Sequence, residues 1–246
     1  MLQGKNAVVT GARKGIGRAC VEVFAKNGAN IWACARENSD IFEQDMKQIA
    51  EKYKVQIWPL YFDMTNEAEI KEAVGSIKKS KVSVDVLANI AGTADESSSF
   101  AMTPLERMRH VFEVNFFGMT LLTQYVSRLM VRQKSGSIIN ISSVAGIEGR
   151  PAQHEYAASK GAVIGGVRQL AWELGRYNIR VNAVAPGMVD TKMGAQIAEE
   201  LREELLTGVI LKRMGRPEEI ANVIAFLASD LSTYMTGQII RVDGGI

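Results

Sequence analysis

The chain has 246 residues, 47% of them hydrophobic and 23% charged, an ordinary soluble composition with enough length for a sizeable core. A net charge of +2 is too small to argue for nucleic acid or an anionic membrane as partner, and no apolar run approaches the roughly 18 residues of a membrane span. The cysteines Cys20 and Cys34 and the histidines His110 and His154 are too scattered for a disulfide framework or a metal cluster, so no metal is expected.

The start, Met1 to Thr10, reads as a strand and lacks the apolar core of a signal peptide. A reduced, cytoplasmic setting is the expectation. From there short apolar strands alternate with longer helical patterns. In chain order they are strand Asn6–Thr10, helix Gly15–Asn27, strand Asn30–Cys34, helix Ile41–Tyr53, strand Gln56–Tyr61 and helix Glu67–Lys79. Strand Val84–Ala88, helix Pro104–Gln133, strand Ser137–Ile141, helix Glu155–Tyr177, strand Arg180–Val184, helix Pro217–Ser229 and strand Gln238–Val242 follow. The strands are rich in Val and Ile and do not alternate with polar residues, as expected when both faces are covered. The pattern predicts an α/β fold: a single-domain, doubly wound (Rossmann-type), seven-stranded parallel sheet with helices on both faces. The ligand crevice then lies at the strand C-termini. The stretch 191–214 falls between the last two strands and reads as a helical lid on the substrate side.

Candidate cofactor residues cluster where strands end. Gly11, Gly15 and Gly17, with Arg13, Lys14 and Ile16 among them, follow strand one and open the first helix. Small residues there let a backbone approach a pyrophosphate, and the helix N-terminus favours its charge. A plain tight turn fits the glycines as well. Strand two ends at Cys34-Ala35-Arg36. Ala35 offers no carboxylate to a ribose 2′-hydroxyl, whereas Arg36 suits a 2′-phosphate, which points to NADP(H). Arg36 as a solvated charge is the alternative, with Glu37 the rival reader. Asp63-Met64 follows strand three, with Asp63 either an acceptor for an adenine amino group or a turn and helix cap. Asn89, Ala91 and Gly92 follow strand four. Pro186, Gly187, Val189 and Thr191 follow strand six, where backbone and hydroxyl suit a carboxamide and a phosphate.

The chemistry-bearing residues lie in the second half. Tyr156 and Lys160 are four apart and share a helix face. A lysine cation beside a phenol favours the phenolate, which predicts a Tyr156 hydroxyl below its ordinary pKa of about 10. Ser143, with Ser142, closes strand five, where a hydroxyl is placed to bond a carbonyl with developing charge. Asn115 sits on the apolar stripe of the long helix, either as a satisfied packing amide or as a break that holds a water beside the site. Together these suggest carbonyl reduction or alcohol oxidation by hydride transfer. Gly-x-Ser-x-Gly is absent, so a hydrolase elbow is not supported.

The whole set resembles the short-chain dehydrogenase/reductase family. The resemblance is carried by Thr10-Gly-Ala-Arg-Lys-Gly-Ile-Gly17, Asn89-Ile-Ala-Gly92, Asn115, Ser143, Tyr156-Ala-Ala-Ser-Lys160, Asn182-Ala-Val-Ala-Pro-Gly187 and Val242-Asp-Gly-Gly-Ile246. It covers essentially the whole chain. Within the family the chain is most similar to 3-oxoacyl-acyl-carrier-protein reductases, through Arg213-Met-Gly-Arg-Pro-Glu-Glu-Ile220 and Phe226-Leu-Ala-Ser-Asp230. The resemblance implies Tyr156 as general acid and Lys160 as its partner and a ligand of the nicotinamide ribose. It implies Ser143 as the group that orients the carbonyl, and Asn115 as the holder of a water that links Lys160 to solvent. It implies a carbonyl or alcohol substrate, carried as a 3-oxoacyl thioester on acyl-carrier protein, and a homotetramer or homodimer. The chain departs from the family at Ile90, where a second Asn is usual. The loop Thr93–Met102 lacks an Arg-Asp pair, and the basic residues Arg132, Lys134, Arg168 and Arg176 form only part of a carrier-protein patch. A sugar, polyol or small metabolite as substrate, and a dinucleotide sensor without turnover, are the rival readings.

Overall fold

Seven parallel strands form one sheet in the order β3-β2-β1-β4-β5-β6-β7. The computed structural model describes residues 1–94, 98–149, 152–191, 203 and 205–246. The strands are β1 (Asn6–Val9), β2 (Asn30–Ala35), β3 (Ile57–Tyr61), β4 (Val86–Asn89), β5 (Gly136–Ile141), β6 (Ile179–Pro186) and β7 (Ile239–Val242). The principal helices are α1 (Gly15–Lys26), α2 (Asp40–Tyr53), α3 (Glu67–Lys79), α4 (Leu105–Phe112), α5 (Met119–Gln133), α6 (Ala145–Glu148), α7 (His154–Gly175) and α8 (Pro217–Ala228).

Strand side chains alternate between the two faces, and each face has its own core. Val9, Ala33, Ile139 and Val184 pack with α1, α2 and α8. Their neighbours Val8, Trp32, Ile138 and Ala183 pack with α3, α5 and α7 on the other face. Burial on both sides is why these strands read as unbroken apolar runs. The chain order reverses between β1 and β4, so the two connections that leave these strands run to opposite sides and open a crevice at their C-terminal ends.

The long helix expected over Pro104–Gln133 is interrupted. Residues Glu113–Gly118 form a π-helical turn between α4 and α5, with Asn115 inside it. Gly118 is what lets this turn sit down. A Cβ there would overlap the Met64 carbonyl oxygen in the loop after β3. Of the expected lid, residues 192–202 and 204 lie outside the described residues. Its trailing end is tied to the C-terminus, where Ile210 and Leu211 donate N–H bonds to Gly245 and Gly244, each at 3.0 Å.

Candidate active site

The crevice is walled by close backbone approach on its β1 side. Gly11 has φ +69°, a left-handed conformation that glycine adopts without strain, and a Cβ on it would stand 3.1 Å from the Ala91 backbone. A Cβ on Gly17 would overlap the Gly11 carbonyl oxygen. Thr10 stitches the two rims together. Its hydroxyl accepts N–H bonds from Ile90 at 2.8 Å and Ala91 at 2.9 Å. Sequence reasoning passed over Thr10 as a site residue, although a buried hydroxyl just before a glycine turn is a usable signal. Helix α1 has no side-chain cap and no acidic residue in its first turn, so its leading N–H groups keep their capacity for an anion. Lys14 is its N-cap residue, and Arg13 and Lys14 are exposed. Ile16 is part-buried and packs against the core beneath the turn.

The rim at β2 and β3 is charged and open. Ala35 is the last residue of β2, one further than expected, and Arg36 beyond it is 68% exposed and pairs with Glu37 at 3.2 Å. Asp63 makes a turn: its Oδ1 accepts the Thr65 N–H and hydroxyl, both at 2.8 Å. Burial pushes its carboxyl up, but the Thr65 bonds and the charge of Arg36 together hold it below the usual range. The cap of α3 is Asn66, which accepts from Ala68 and Glu69. Met64 is buried beside it.

Asn89 faces inward. Its Nδ2 donates to Thr123 at 2.9 Å and Asn140 at 2.8 Å, so the amide joins β4 to α5 and β5, and its buried Oδ1 has no hydrogen-bond partner. On the β6 side, Pro186 accepts the Val144 N–H at 3.1 Å, and Gly187 lies so close to Asp243 that a Cβ would stand 2.8 Å from its Cα. Val189 is buried and bridges to Gly215. Thr191 comes back over the glycine turn, its Cγ2 3.3 Å from where a Gly15 Cβ would be.

The side chains proposed for chemistry converge beyond β4 and β5. Ser142 donates to the Lys160 carbonyl at 2.9 Å, and Lys160 Nζ donates to the Ile141 carbonyl at 3.0 Å, so the end of β5 and α7 are bonded in both directions. Gly146 permits this approach, because a Cβ on it would stand 2.7 Å from the Gly161 nitrogen. The hydroxyl of Ser143 accepts the Ala145 N–H at 3.1 Å and lies near enough to Tyr156 to favour its phenolate. Asn115 is 1% exposed and clamps the loop after β4: Oδ1 accepts the Thr93 N–H and Nδ2 donates to the Thr93 carbonyl, both at 2.8 Å. Nδ2 also donates to Ser159 at 3.0 Å. Gly92 sits at the centre, where a Cβ would be 3.1 Å from Asn115 Oδ1 and 3.3 Å from Lys160 Nζ.

The electrostatics correct one expectation. The Tyr156 hydroxyl is not lowered: desolvation raises it above its ordinary 10, and the Ser143 hydrogen bond only partly offsets this. Burial instead acts on the lysine, which is 3% exposed and is lowered from its ordinary 10.5 to about 8. Its Nζ stands 5.8 Å from the centroid of the Tyr156 ring.

A doubly wound sheet with this cluster at its crevice defines an oxidoreductase acting on CH–OH and C=O groups. The chain belongs to the short-chain dehydrogenase/reductase family, whose members use a nicotinamide cofactor. The family model described as Enoyl-(Acyl carrier protein) reductase matches residues 11–246. The chain is similar to the 3-oxoacyl-[acyl-carrier-protein] reductase FabG of Thermotoga maritima, at 42% identity over 100% of this chain and 98% of the relative. It is also similar to a 3alpha-hydroxysteroid dehydrogenase of Mediterraneibacter gnavus, at 38% identity over 99% and 97%. Among solved structures, a 3-oxoacyl-[acyl-carrier protein] reductase from Brucella melitensis superposes with a TM-score of 0.89 at 31% identity, covering 100% of this chain and 92% of the other. The residues present fit a dinucleotide, since the α1 N-terminus is uncapped and unneutralised and the exposed cations Arg13 and Lys14 stand beside it.

Proposed function

We propose that the chain is an NADPH-dependent reductase of ketones, with a 3-oxoacyl thioester on acyl-carrier protein as its substrate. The observation that carries this reading is the convergence of Ser143, Tyr156 and Lys160 at the crevice edge, with Lys160 Nζ 5.8 Å from the centroid of the Tyr156 ring and the Ser143 hydroxyl near enough to favour the phenolate. When bound, the nicotinamide supplies the hydride. Tyr156 donates the proton to the carbonyl oxygen. Its raised pKa keeps it protonated, as a general acid must be, and Ser143 bonds the same oxygen as charge develops. Lys160 holds the nicotinamide ribose. Lys160 Nζ and Asn115 Oδ1 flank the same side of Gly92, and the link from Lys160 to solvent runs through a water there. Arg36, with Arg13, reads the 2′-phosphate, since Ala35 presents no carboxylate to a 2′-hydroxyl. Gly11, Gly15, Gly17, Asn89, Ala91, Gly92, Asp63, Met64, Pro186, Gly187, Val189 and Thr191 complete the cofactor wall. For Asn89 and Asp63, whose side chains are engaged within the fold, the contact falls to the backbone or a remaining oxygen. The chain is read as one domain with 191–214 as a substrate-side lid, working in the cytoplasm as a homotetramer.

A second reading has a specific support. The hydroxysteroid dehydrogenase above is nearly as similar as the carrier-protein reductases, and a levodione reductase superposes with a TM-score of 0.94 at 30% identity. A cyclic or other small ketone is therefore the alternative substrate. The test is NADPH absorbance with acyl thioesters, steroid ketones, small cyclic ketones and sugars in parallel. Turnover confined to the non-thioester ketones refutes the first reading. Cofactor binding without turnover on any carbonyl refutes both.

A further inference from the structure

The first turn of α7 carries Tyr156, and one continuous stretch of chain grips it on both sides. Downstream, Asn115 donates to the Ser159 hydroxyl, and Ser159 donates to the Tyr156 carbonyl at 2.8 Å. Upstream, Arg107 of α4 meets the Glu155 carboxylate at 2.7 Å. The Phe100 ring stands edge-on to His154, with 4.7 Å between centroids. Residues 100–115 therefore hold α7 at the residue before Tyr156, at the residue before that, and through Ser159 at Tyr156 itself.

The Arg107–Glu155 pair is an odd choice for stability alone. Glu155 is only 3% exposed and Arg107 20%. Desolvation offsets most of the attraction in a buried pair, and apolar replacements of similar volume often leave stability unchanged. One Glu155 oxygen, Oε2, is buried without a hydrogen-bond partner, which adds a cost that a purely stabilising pair would avoid. Fixing a register is the best-attested use of such pairs. Here the register is that of the helix turn bearing the proton donor, one residue further on.

We propose that Glu155 and Arg107 are positioning residues. The pair locks the first turn of α7 to α4 so that the Tyr156 hydroxyl is held against Ser143. The proposal rests on Tyr156 being the proton donor. Glu155 touches none of the reacting atoms and acts only through Tyr156.

The experiment compares Glu155→Gln, the double variant Arg107→Met with Glu155→Leu, and Tyr156→Phe in the full-length protein. Glutamine keeps the volume and an acceptor for Arg107, and the apolar pair removes the buried charges together, so both variants are chosen to spare the fold. Four quantities are read: kcat for ketone reduction, the dissociation constant of NADPH from its fluorescence, the thermal midpoint, and hydrogen exchange of residues 154–160. A small misplacement of a reacting group costs up to about 100-fold in rate, so the double variant should lose about 10-fold or more in kcat. Its NADPH affinity should stay within about two-fold of wild type, because uniform binding is untouched. Its α7 first turn should exchange faster. Glu155→Gln should show the same split to a smaller degree. Wild-type kcat in the double variant overturns the proposal, and so does a loss of kcat matched by equal losses in NADPH affinity and midpoint. If the double variant fails to fold, Glu155→Gln decides by the same criteria. Activity retained in Tyr156→Phe refutes the proton-donor reading instead, and leaves the exchange result to report whether the clamp exists.

Discussion

The two walls of the crevice are built from different materials. On the β1 side the wall is main chain: glycines that let backbone segments pack against each other, an uncapped helix N-terminus and a few exposed charges. On the β5 side it is buried polar side chains, Asn115, Ser143, Ser159 and Lys160, each hydrogen-bonded into its neighbours. A backbone wall recognises a shape shared by many nucleotides, and its exposed charges are adjustable at little cost to the fold. A wall of buried amides, hydroxyls and an amine has no such slack, because each group is satisfied by the next. Substitutions on the second wall should therefore act on rate, with Lys160 acting on affinity as well through the nicotinamide ribose, and those on the first on affinity.

The largest effect expected is at Tyr156. Proton transfer from a placed group contributes about 10²–10⁴-fold, so Tyr156→Phe should lose that much kcat while NADPH fluorescence titration stays near wild type. A parallel loss of cofactor affinity would erase the contrast between the walls. Next is Lys160, whose lowering to about 8 is also a statement about stability. Between about 8 and 10.5 the native protein binds fewer protons than the unfolded chain, so stability rises with pH across that window. Below it the amine is charged while buried, at a cost of about 3 kcal/mol. Lys160→Met should accordingly be at least as stable as wild type near neutral pH, with the advantage shrinking as pH climbs through the window. The raised Tyr156 acts in the opposite sense, but only above its ordinary 10, where the unfolded phenol ionises first. Denaturant midpoints across that range check the sign, and a pH-independent difference would show no penalty for the buried amine.

On the main-chain wall, Gly17→Ala must push a Cβ into the Gly11 carbonyl, an overpacking worth about 1–3 kcal/mol. The thermal midpoint should fall, and NADPH binding should weaken more than kcat does. The smallest effect belongs to Arg36. Its loss should weaken NADPH binding about ten-fold and leave NADH binding little changed. The ratio of kcat/KM for the two cofactors is the measurement. No response there would mean that the Glu37 contact seen at 3.2 Å is all that Arg36 makes.

The alternation of strand and helix was readable because burial on both faces writes each strand as a solid apolar run, and boundaries moved by only a residue or two. The Tyr156-to-Lys160 spacing and the end of β5 were equally legible, since both are local. What escaped is what depends on partners distant in sequence. A break at Asn115 was one of the two readings its sequence offered, but its form was not legible: in the π turn of Glu113–Gly118, Asn115 reaches Thr93 and Ser159 while Gly118 meets Met64. The direction of the Tyr156 shift was misread for the same reason, because spacing puts a lysine nearby but burial is a tertiary quantity. Asp63 had two readings from its sequence, and the Thr65 bonds show the turn. Glu155 looks like any acidic residue in a first helical turn until Arg107 is brought across from α4.

The π turn has a meaning in mutational terms. Such a bulge holds one more residue than regular α-helix over the same span. Deleting a single residue within 113–118 would let regular α-helix cover the same span, so α4 and α5 would keep their facing while the turn itself changed. Arg107 would still address α7, and Asn115 would lose the bulge from which it reaches Thr93 and Ser159. The interruption is thus where the long helix turns an amide toward the proton-donating helix, and a deletion, not a substitution, is the change that removes it.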